Sequence, residues 1–422
     1  MSRDTAVVSR SASAGPAGLR SPVLVAVIDV AEPIGALDCT RSVAPPYTAA
    51  WILACRSGRP LGSVQIAVTG TLITASELER ELRAQLGAAW AGRPAGEPVT
   101  LARASVVVPS NFARPAQLRR SVQRLTELDH PDFEVILVDN RPAGAPAADI
   151  PGARVVREPR PGISAARNRG IAAATGEIIA FTDDDVVADR RWLRALGERF
   201  ARQPELAAVT GLVVPLELET PAQALFEQSG SGLDRSFVPL TFERAGRFTV
   251  RRRAPGSERT GSLYETGEFG LGSNMAFRAG ALREAGGFDL ALGTGTQARA
   301  GEDLAMLIEL LASGRRIGYE PDAIIQHSHR ATMEELERQI RGYGVGLTAM
   351  LTAITLRHPR HALGLAAIVP RWLRSLRNPA SAKQVHRAED YPAALGRAEL
   401  RGMIAGPAAY LRSRRFQRRW PR

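Results

Sequence analysis

The residues with the plainest chemical meaning are Thr182-Asp183-Asp184-Asp185, which follow the apolar run from Ile178 to Phe181 without a break. Three consecutive carboxylates repel one another, and a hard divalent cation such as Mg2+ or Mn2+, shared with substrate phosphates, is the usual compensation. A solvated turn leading to an Asp helix cap would use the same residues, so their place in the fold decides between the two. A second pair, Glu302-Asp303, follows Gly301 and opens the apolar stretch LAMLIELLASG. Acids in a helix's first turn often serve only its dipole. Placed by a Gly-rich loop such as 293–301, one of them could also remove a proton from an attacking hydroxyl. Upstream, PGISAARNRG (161–170) has Gly162 and Ser164 where a helix can start and Arg167 one turn in, a combination that suits an anionic ligand. His327 and His329 end the strand-like run IGYEPDAIIQHSH and share one face as i and i+2, so one imidazole could reach a metal or a diphosphate.

The surrounding pattern predicts what positions these groups. SVVVP (105–109), EVILVD (134–139), ARVVRE (153–158) and EIIAFTD (177–183) read as buried strands, with helices over about 114–128 and 164–174 between them. Alternation of this kind describes an open, doubly wound, mostly parallel α/β sheet. Ligands bind outside the carboxyl ends of such strands, where Ser110, Asp139 and Asp183 would crowd one rim. Before this region, three apolar or alternating runs (23–31, 48–55, 62–69) and a helical period over 76–90 describe a small α+β module. The expected organisation is a disordered leader over 1–20, the α+β module over 21–98, the α/β domain over 104–330 and a helical, Arg-rich region over 331–422.

With these elements placed, five segments occur in order: a strand ending in Pro109-Ser110, LVDN (137–140), PGISAARNRGIAAATGEIIAFTDDD (161–185), GSNMAFRAGALREAGGFD (272–289) and GEDLAMLIELLASGRRIGYEPDAIIQHSH (301–329). Together they resemble the family 2 glycosyltransferases, which have the GT-A fold, over about Ala104 to His329. The resemblance implies inverting, metal-dependent transfer of a sugar from a nucleotide-sugar donor to a hydroxyl of a glycan, lipid-linked or small-molecule acceptor. Cell-envelope glycan, glycolipid or secondary-metabolite glycosylation would be served by it. It implies that Asp139 and Asp183 contact the donor's nucleoside and that Arg167 lies near the base or diphosphate. Asp185 would coordinate Mg2+ or Mn2+ bridging the two phosphates, with His327 the expected imidazole beside it, and Asp184 either touches the metal or supports it. Asp303 would be the general base and Glu302 its positioning neighbour, while Pro109 and Ser110 line the donor side. Asn274 would meet a sugar or acceptor hydroxyl, or simply close a tight turn before a core residue. Where the family offers a polar segment containing tyrosine or arginine after the first strand, this chain has Ser110-Asn111-Phe112-Ala113-Arg114, which leaves stacking of the base open. A non-catalytic sugar-nucleotide-binding or membrane-interacting protein that keeps the fold is the alternative. A nucleotidyltransferase would show a Gly-rich phosphate loop where this chain has SNFARP.

The formal net charge of +12 comes from 55 Lys and Arg against 43 Asp and Glu. From Arg357 onward the chain carries fifteen basic and three acidic residues, so the whole excess sits there and the preceding residues are formally neutral. Short apolar runs with Arg flanks in this region suit the headgroup layer of an anionic membrane, and a solvated Arg-rich tail is the bland alternative. No base-reading motif accompanies the charge, so nucleic acid is not an expected partner. Two cysteines, Cys39 and Cys55, are too few for a disulfide framework and fit a reducing cytosol. The enzyme is therefore expected in the cytoplasm, at the inner face of the membrane if the tail binds lipid.

Overall fold

The computed structural model describes residues 20–94, 96–229, 236–377 and 391–420. The leader expected over 1–20 falls outside these residues except for Arg20, as do Lys383, Arg387, Glu389, Asp390 and Arg422 of the basic region.

The first module consists of β1 (Val23–Asp29), β2 (Leu37–Asp38), β3 (Ala49–Arg56), β4 (Arg59–Ala67), β5 (Leu72–Ile73) and α1 (Ala75–Leu86). β3 is central, parallel to β1 and antiparallel to β4, while β2 and β5 form a separate small ladder. α1 forms because Leu78, Leu82 and Leu86 share one buried face behind the Thr74 cap, whose side chain accepts from the Glu77 amide. The helical period read as far as Trp90 stops earlier: Gly87 takes φ +52 and a 3-10 turn over Gly87–Ala91 carries the chain on.

Successive residues of a strand face opposite ways. Ile52 and Ala54 of β3 therefore join the module's own core, while Trp51, Leu53 and Cys55 pack with Val23 against Leu212, Val214, Leu218 and Ile324 of the larger domain. Each fully buried Leu or Ile in this seam contributes about 1.5–3 kcal/mol. The Val23 amide also donates to the Leu218 carbonyl at 2.9 Å, and Arg59 and Arg93 pair with Asp322 across the same seam. The module is thus built into the domain that follows.

That domain is an eleven-stranded sheet. Its strands are β6 (Ala104–Ser110), β7 (Phe133–Asp139), β8 (Arg154–Arg157), β9 (Ile178–Phe181), β10 (Val186–Ala188), β11 (Leu206–Pro215), β12 (Leu240–Arg244), β13 (Thr249–Ala254), β14 (Ser257–Ser262), β15 (Met275–Arg278) and β16 (Arg316–His327). The order is β14-β13-β12-β16-β11-β15-β9-β6-β7-β8, with β10 paired to β16. The strands β8, β7, β6 and β9 are mutually parallel, as expected. Beyond them the sheet is mixed, because β15 runs antiparallel to both β9 and β11, and β12 to β14 form an antiparallel edge. Buried alternation separates two cores: Val107, Ile136, Ile179 and Phe181 lie on one face, and Val106, Val108, Leu137 and Ala180 on the other. Helix α3 (Ile163–Ala173) covers the first face, and α2 (Pro115–Thr126) and α4 (Trp192–Arg202) cover the second.

The remaining helices are α5 (Pro221–Gln228), α6 (Ala279–Glu284), α7 (Glu302–Ala312), α8 (Met333–Arg357), α9 (His361–Arg377) and α10 (Ala393–Gln417). α8 and α10 meet backbone to backbone. A Cβ on Gly344 would lie 2.1 Å from the Glu399 carbonyl oxygen, and one on Gly402 would lie 2.2 Å from that of Arg341. No helix among the described residues is long and apolar enough to cross a membrane.

Candidate active site

The carboxyl ends of β6 and β9 and the end of β16 open on a cleft of about 830 Å³. Pro109 and Ser110 line it from β6, Asp183, Asp184 and Asp185 from the loop after β9, and His327 from β16. The register of β10 explains the last of these. β10 starts directly after Asp185 and pairs antiparallel with β16, placing Val186 opposite His327 and so the imidazole beside the acidic set.

One ligand atom from each of Asp183, Asp185 and His327 lies within 4.8 Å of the others. Two carboxylate oxygens and an imidazole nitrogen at that spacing are a donor set for a divalent metal. Asp184 is engaged elsewhere, because the Ser110 hydroxyl donates to its Oδ2. Asp183, expected at the nucleoside, lies with Asp185 and His327, while Asp184 lines the same cleft with its Oδ2 on Ser110. Burial raises the pKa of both Asp183 and Asp184; Arg167 opposes the shift in the first and the Ser110 hydrogen bond in the second. Two cations face the set: Arg114 pairs with Asp185 at 3.0 Å and Arg330 lies 3.8 Å from the same carboxylate. Arg330 Nη1 is buried with no hydrogen-bond partner among the described residues.

Gly301, at φ +92, turns the chain into α7 and sets both acids at its start. Asp303 Oδ2 accepts the Gly272 amide and Oδ1 the Leu304 amide, each at 2.8 Å. Glu302 is buried against Arg167 at 2.6 Å. Burial and the Asp303 charge push its pKa up to about 7 while Arg167 pulls it down. Arg167 also donates to the Gly272 carbonyl at 3.1 Å and lies 3.6 Å from Asp183.

Three expected ligand contacts are placed differently. Arg167 is 1% exposed, so it stands behind the rim and ties Glu302 to Asp183, with no surface left for a base or diphosphate. Asn274 is fully buried: its Oδ1 accepts the Trp192 indole N–H at 2.8 Å and its Nδ2 donates to the Leu212 and Ala323 carbonyls at 2.9 and 2.8 Å. It latches α4 to β11 and β16 and has no capacity for a sugar hydroxyl; the tight-turn reading fits it. Asp139 ends β7 as expected but is 1% exposed and bound by Arg141 and Arg157. Burial alone would raise its pKa, and the Arg141 hydrogen bonds with both guanidinium charges outweigh that and lower it. Arg141 in turn lies 4.2 Å over the Phe112 ring. His329 stands behind His327, its Nδ1 3.4 Å from His327 Nδ1 and its Nε2 2.6 Å from Glu227.

Sequence reasoning missed the opposite wall of the cleft. Glu335, Arg338, Gln339, Gly342 and Tyr343 of α8 line it. Their spacing of three and four residues places them on one face of a helix whose buried side packs on α10, α5 and α7, which is the signal that could have found them.

Residues 105–286 match the family model described as Glycosyl transferase family 2. Pre-mycofactocin glycosyltransferase of Mycobacterium tuberculosis is 32% identical over 249 residues, covering 57% of this chain and 45% of the relative. Glucosyl-dolichyl phosphate glucuronosyltransferase of Haloferax volcanii is 26% identical over 168 residues, 39% of this chain and 47% of the relative. The chain spans about half the length of these curated relatives. Among solved structures, a mannosyltransferase from Pyrobaculum calidifontis in complex with GDP-Man and Mn2+ aligns with a TM-score of 0.42 at 18% identity, over 78% of this chain and 83% of that one. The matched segment, Ser105 to Gly286, is similar to glycosyl transferase family 2 and lies between an N-terminal α+β module and a C-terminal run of helices.

Proposed function

We propose that this chain is an inverting, metal-dependent glycosyltransferase that moves a sugar from a nucleotide-sugar donor to an acceptor hydroxyl. The observation that carries the reading is the convergence of Asp183, Asp185 and His327 in the cleft of a family 2 domain. An imidazole among carboxylates suits a transition ion such as Mn2+ better than Mg2+. The bound ion supplies positive charge to the departing nucleoside diphosphate. Arg330 and Arg114, now on Asp185, are the cations nearest the acidic set and available to the same phosphates, and Arg330 Nη1, without a hydrogen-bond partner among the described residues, is a ready donor. Asp303 takes the proton from the acceptor hydroxyl. Its two backbone amide bonds fix the carboxylate and leave further lone pairs to accept that proton. Glu302 and Arg167 hold α7 and Asp183 in one frame, so the base and the donor side keep their spacing. One base and one in-line displacement invert the anomeric carbon.

The test uses thermal shift with UDP-, GDP- and other nucleotide sugars plus Mn2+, followed by nucleoside diphosphate release with and without a panel of alkyl glycosides. Wild-type protein should be stabilised by one donor only when Mn2+ is present. Asp303→Asn should keep that stabilisation and lose release by at least about 100-fold. Stabilisation without turnover by the wild type would mark a sugar-nucleotide-binding protein, and equal release by Asp303→Asn would remove the base assignment.

The place of work belongs to the same proposal. α10 exposes Leu400, Ile404 and Leu411 beside Arg397, Arg401, Arg412 and Arg415, an apolar stripe flanked by cations that fits an anionic lipid surface. The acceptor would then be presented at that surface.

A further inference from the structure

The metal cluster is backed by a chain of three groups, of which Glu227 lies on α5 and outside every site described so far. His329 Nε2 is 2.6 Å from Glu227 Oε1, and the Glu227 side chain is only 3% exposed. His329 Nδ1 is 3.4 Å from His327 Nδ1, and His327 Nε2 is 3.5 Å from Asp185 Oδ1. With His329 neutral and Glu227 ionised, the hydrogen positions follow from this order. A carboxylate can only accept, so the proton between Glu227 and His329 rests on His329 Nε2. In neutral imidazole the other nitrogen is then an acceptor, so His329 Nδ1 takes its hydrogen bond from His327 Nδ1–H. That leaves the lone pair of His327 on Nε2, the atom beside Asp185.

α5 is built to hold this chain still. Its first turn is closed by a reciprocal box between Thr220 and Gln223. Gln223 Nε2 reaches the His329 carbonyl at 3.4 Å, and the Phe226 ring packs 4.4 Å from the His329 ring. Glu227 follows directly on the same helix. We infer that Glu227 and His329 are a positioning couple that fixes the His327 tautomer and so prepares Nε2 as a metal ligand. The inference rests on the metal reading of the cluster given above. Partners behind a metal-bound histidine typically change metal affinity by about 10–100-fold.

The test measures Mn2+ binding to the full-length protein by calorimetry and by the electron paramagnetic resonance of free Mn2+, with no donor present. Glu227→Leu removes the acceptor at similar volume, and His329→Phe keeps the ring against Phe226 but removes both nitrogens. Both should weaken Mn2+ binding by about 10–100-fold, and Glu227→Gln, which keeps an acceptor, should restore most of it. Nitrogen-15 spectra of histidine-labelled protein should show His327 as the Nδ1–H tautomer in the wild type and lose that preference in both variants. Apo melting temperature and circular dichroism identify a variant that fails to fold; should Glu227→Leu do so, His329→Phe carries the result. Wild-type Mn2+ affinity in His329→Phe, or an Nε2–H tautomer at His327 in the wild type, overturns the couple. Absence of Mn2+ binding in the wild type overturns the metal reading itself.

Discussion

Gly272 is a residue on which both halves of the chemistry lean. Its amide holds Asp303 and its carbonyl holds Arg167. A Cβ there would lie 2.7 Å from Asp303 Oδ2 and 3.0 Å from Arg167 Nη2. Arg167 has little room to yield, since Glu302 grips it in a buried pair, so the displacement falls on Asp303, the proposed base. Gly272→Ala is expected to lower turnover by about 100-fold, the scale of an ångström's misplacement of a reacting group, while Mn2+-dependent donor stabilisation stays at the wild-type level. Turnover within a few-fold of wild type would show that Asp303 does not need this geometry. Asp185 could be read as chemistry in the sequence because acids in a row repel one another, His327 because two imidazoles end one strand, and Asp303 through the family resemblance, since acids opening a helix already suit its dipole. Arg167 and Asn274 could not be placed that way. Whether an Arg or Asn faces a cleft or fills the core depends on what packs over it, and for Asn274 that is Trp192, far away in sequence.

At the scale of elements, the parallel strands were legible because both of their faces are buried and their runs are continuously apolar. The antiparallel half was less so. β13 and β14 carry charged, exposed residues whose pairing rests on cross-strand ion pairs such as Arg253 with Glu258, and neither helical nor buried-strand periodicity marks them. The function of α8 was also hidden. Its apolar residues announce a helix, but its seat across the cleft is set by close backbone contact with α10 and with the loop before α7, where Gly346 lies against Ala300. Gly402→Val on α10 must move one helix from the other, because the nearest obstacles are the Arg341 carbonyl and the Val345 amide rather than a flexible side chain. The expected cost is about 1–3 kcal/mol of stability. Displacement of Tyr343 and Arg338 from the cleft wall should lower turnover more than the fraction unfolded explains. Denaturation midpoint and turnover measured on one preparation check this, and a loss of activity accounted for by unfolding alone would make α8 a mere support.

Across the whole molecule, the charge imbalance lies outside the segment that matches the family model, which separates the question of chemistry from the question of place. The C-terminal helices do two things at once: the inner side of α10, including Gly402, Gly406 and Tyr410, is buried, while the outer side exposes the Leu400, Ile404 and Leu411 stripe among arginines. Deleting the basic region is therefore a poor test of membrane binding, since it would uncover α8 and disturb the cleft. Substitution confined to the outer side avoids this. Wild-type protein should sediment with vesicles containing phosphatidylglycerol, much less with pure phosphatidylcholine, and less as salt shortens the range of the charges. Leu400→Ser, Ile404→Ser and Leu411→Ser together, or Arg397→Glu, Arg401→Glu and Arg415→Glu together, should abolish sedimentation and leave Mn2+-dependent donor stabilisation intact. If the apolar set retains full binding and only the charge set loses it, the helix is held above the headgroups by its field and does not enter them. If both sets bind as the wild type does, α10 faces water, and an acceptor carried by lipid must reach the cleft without its help.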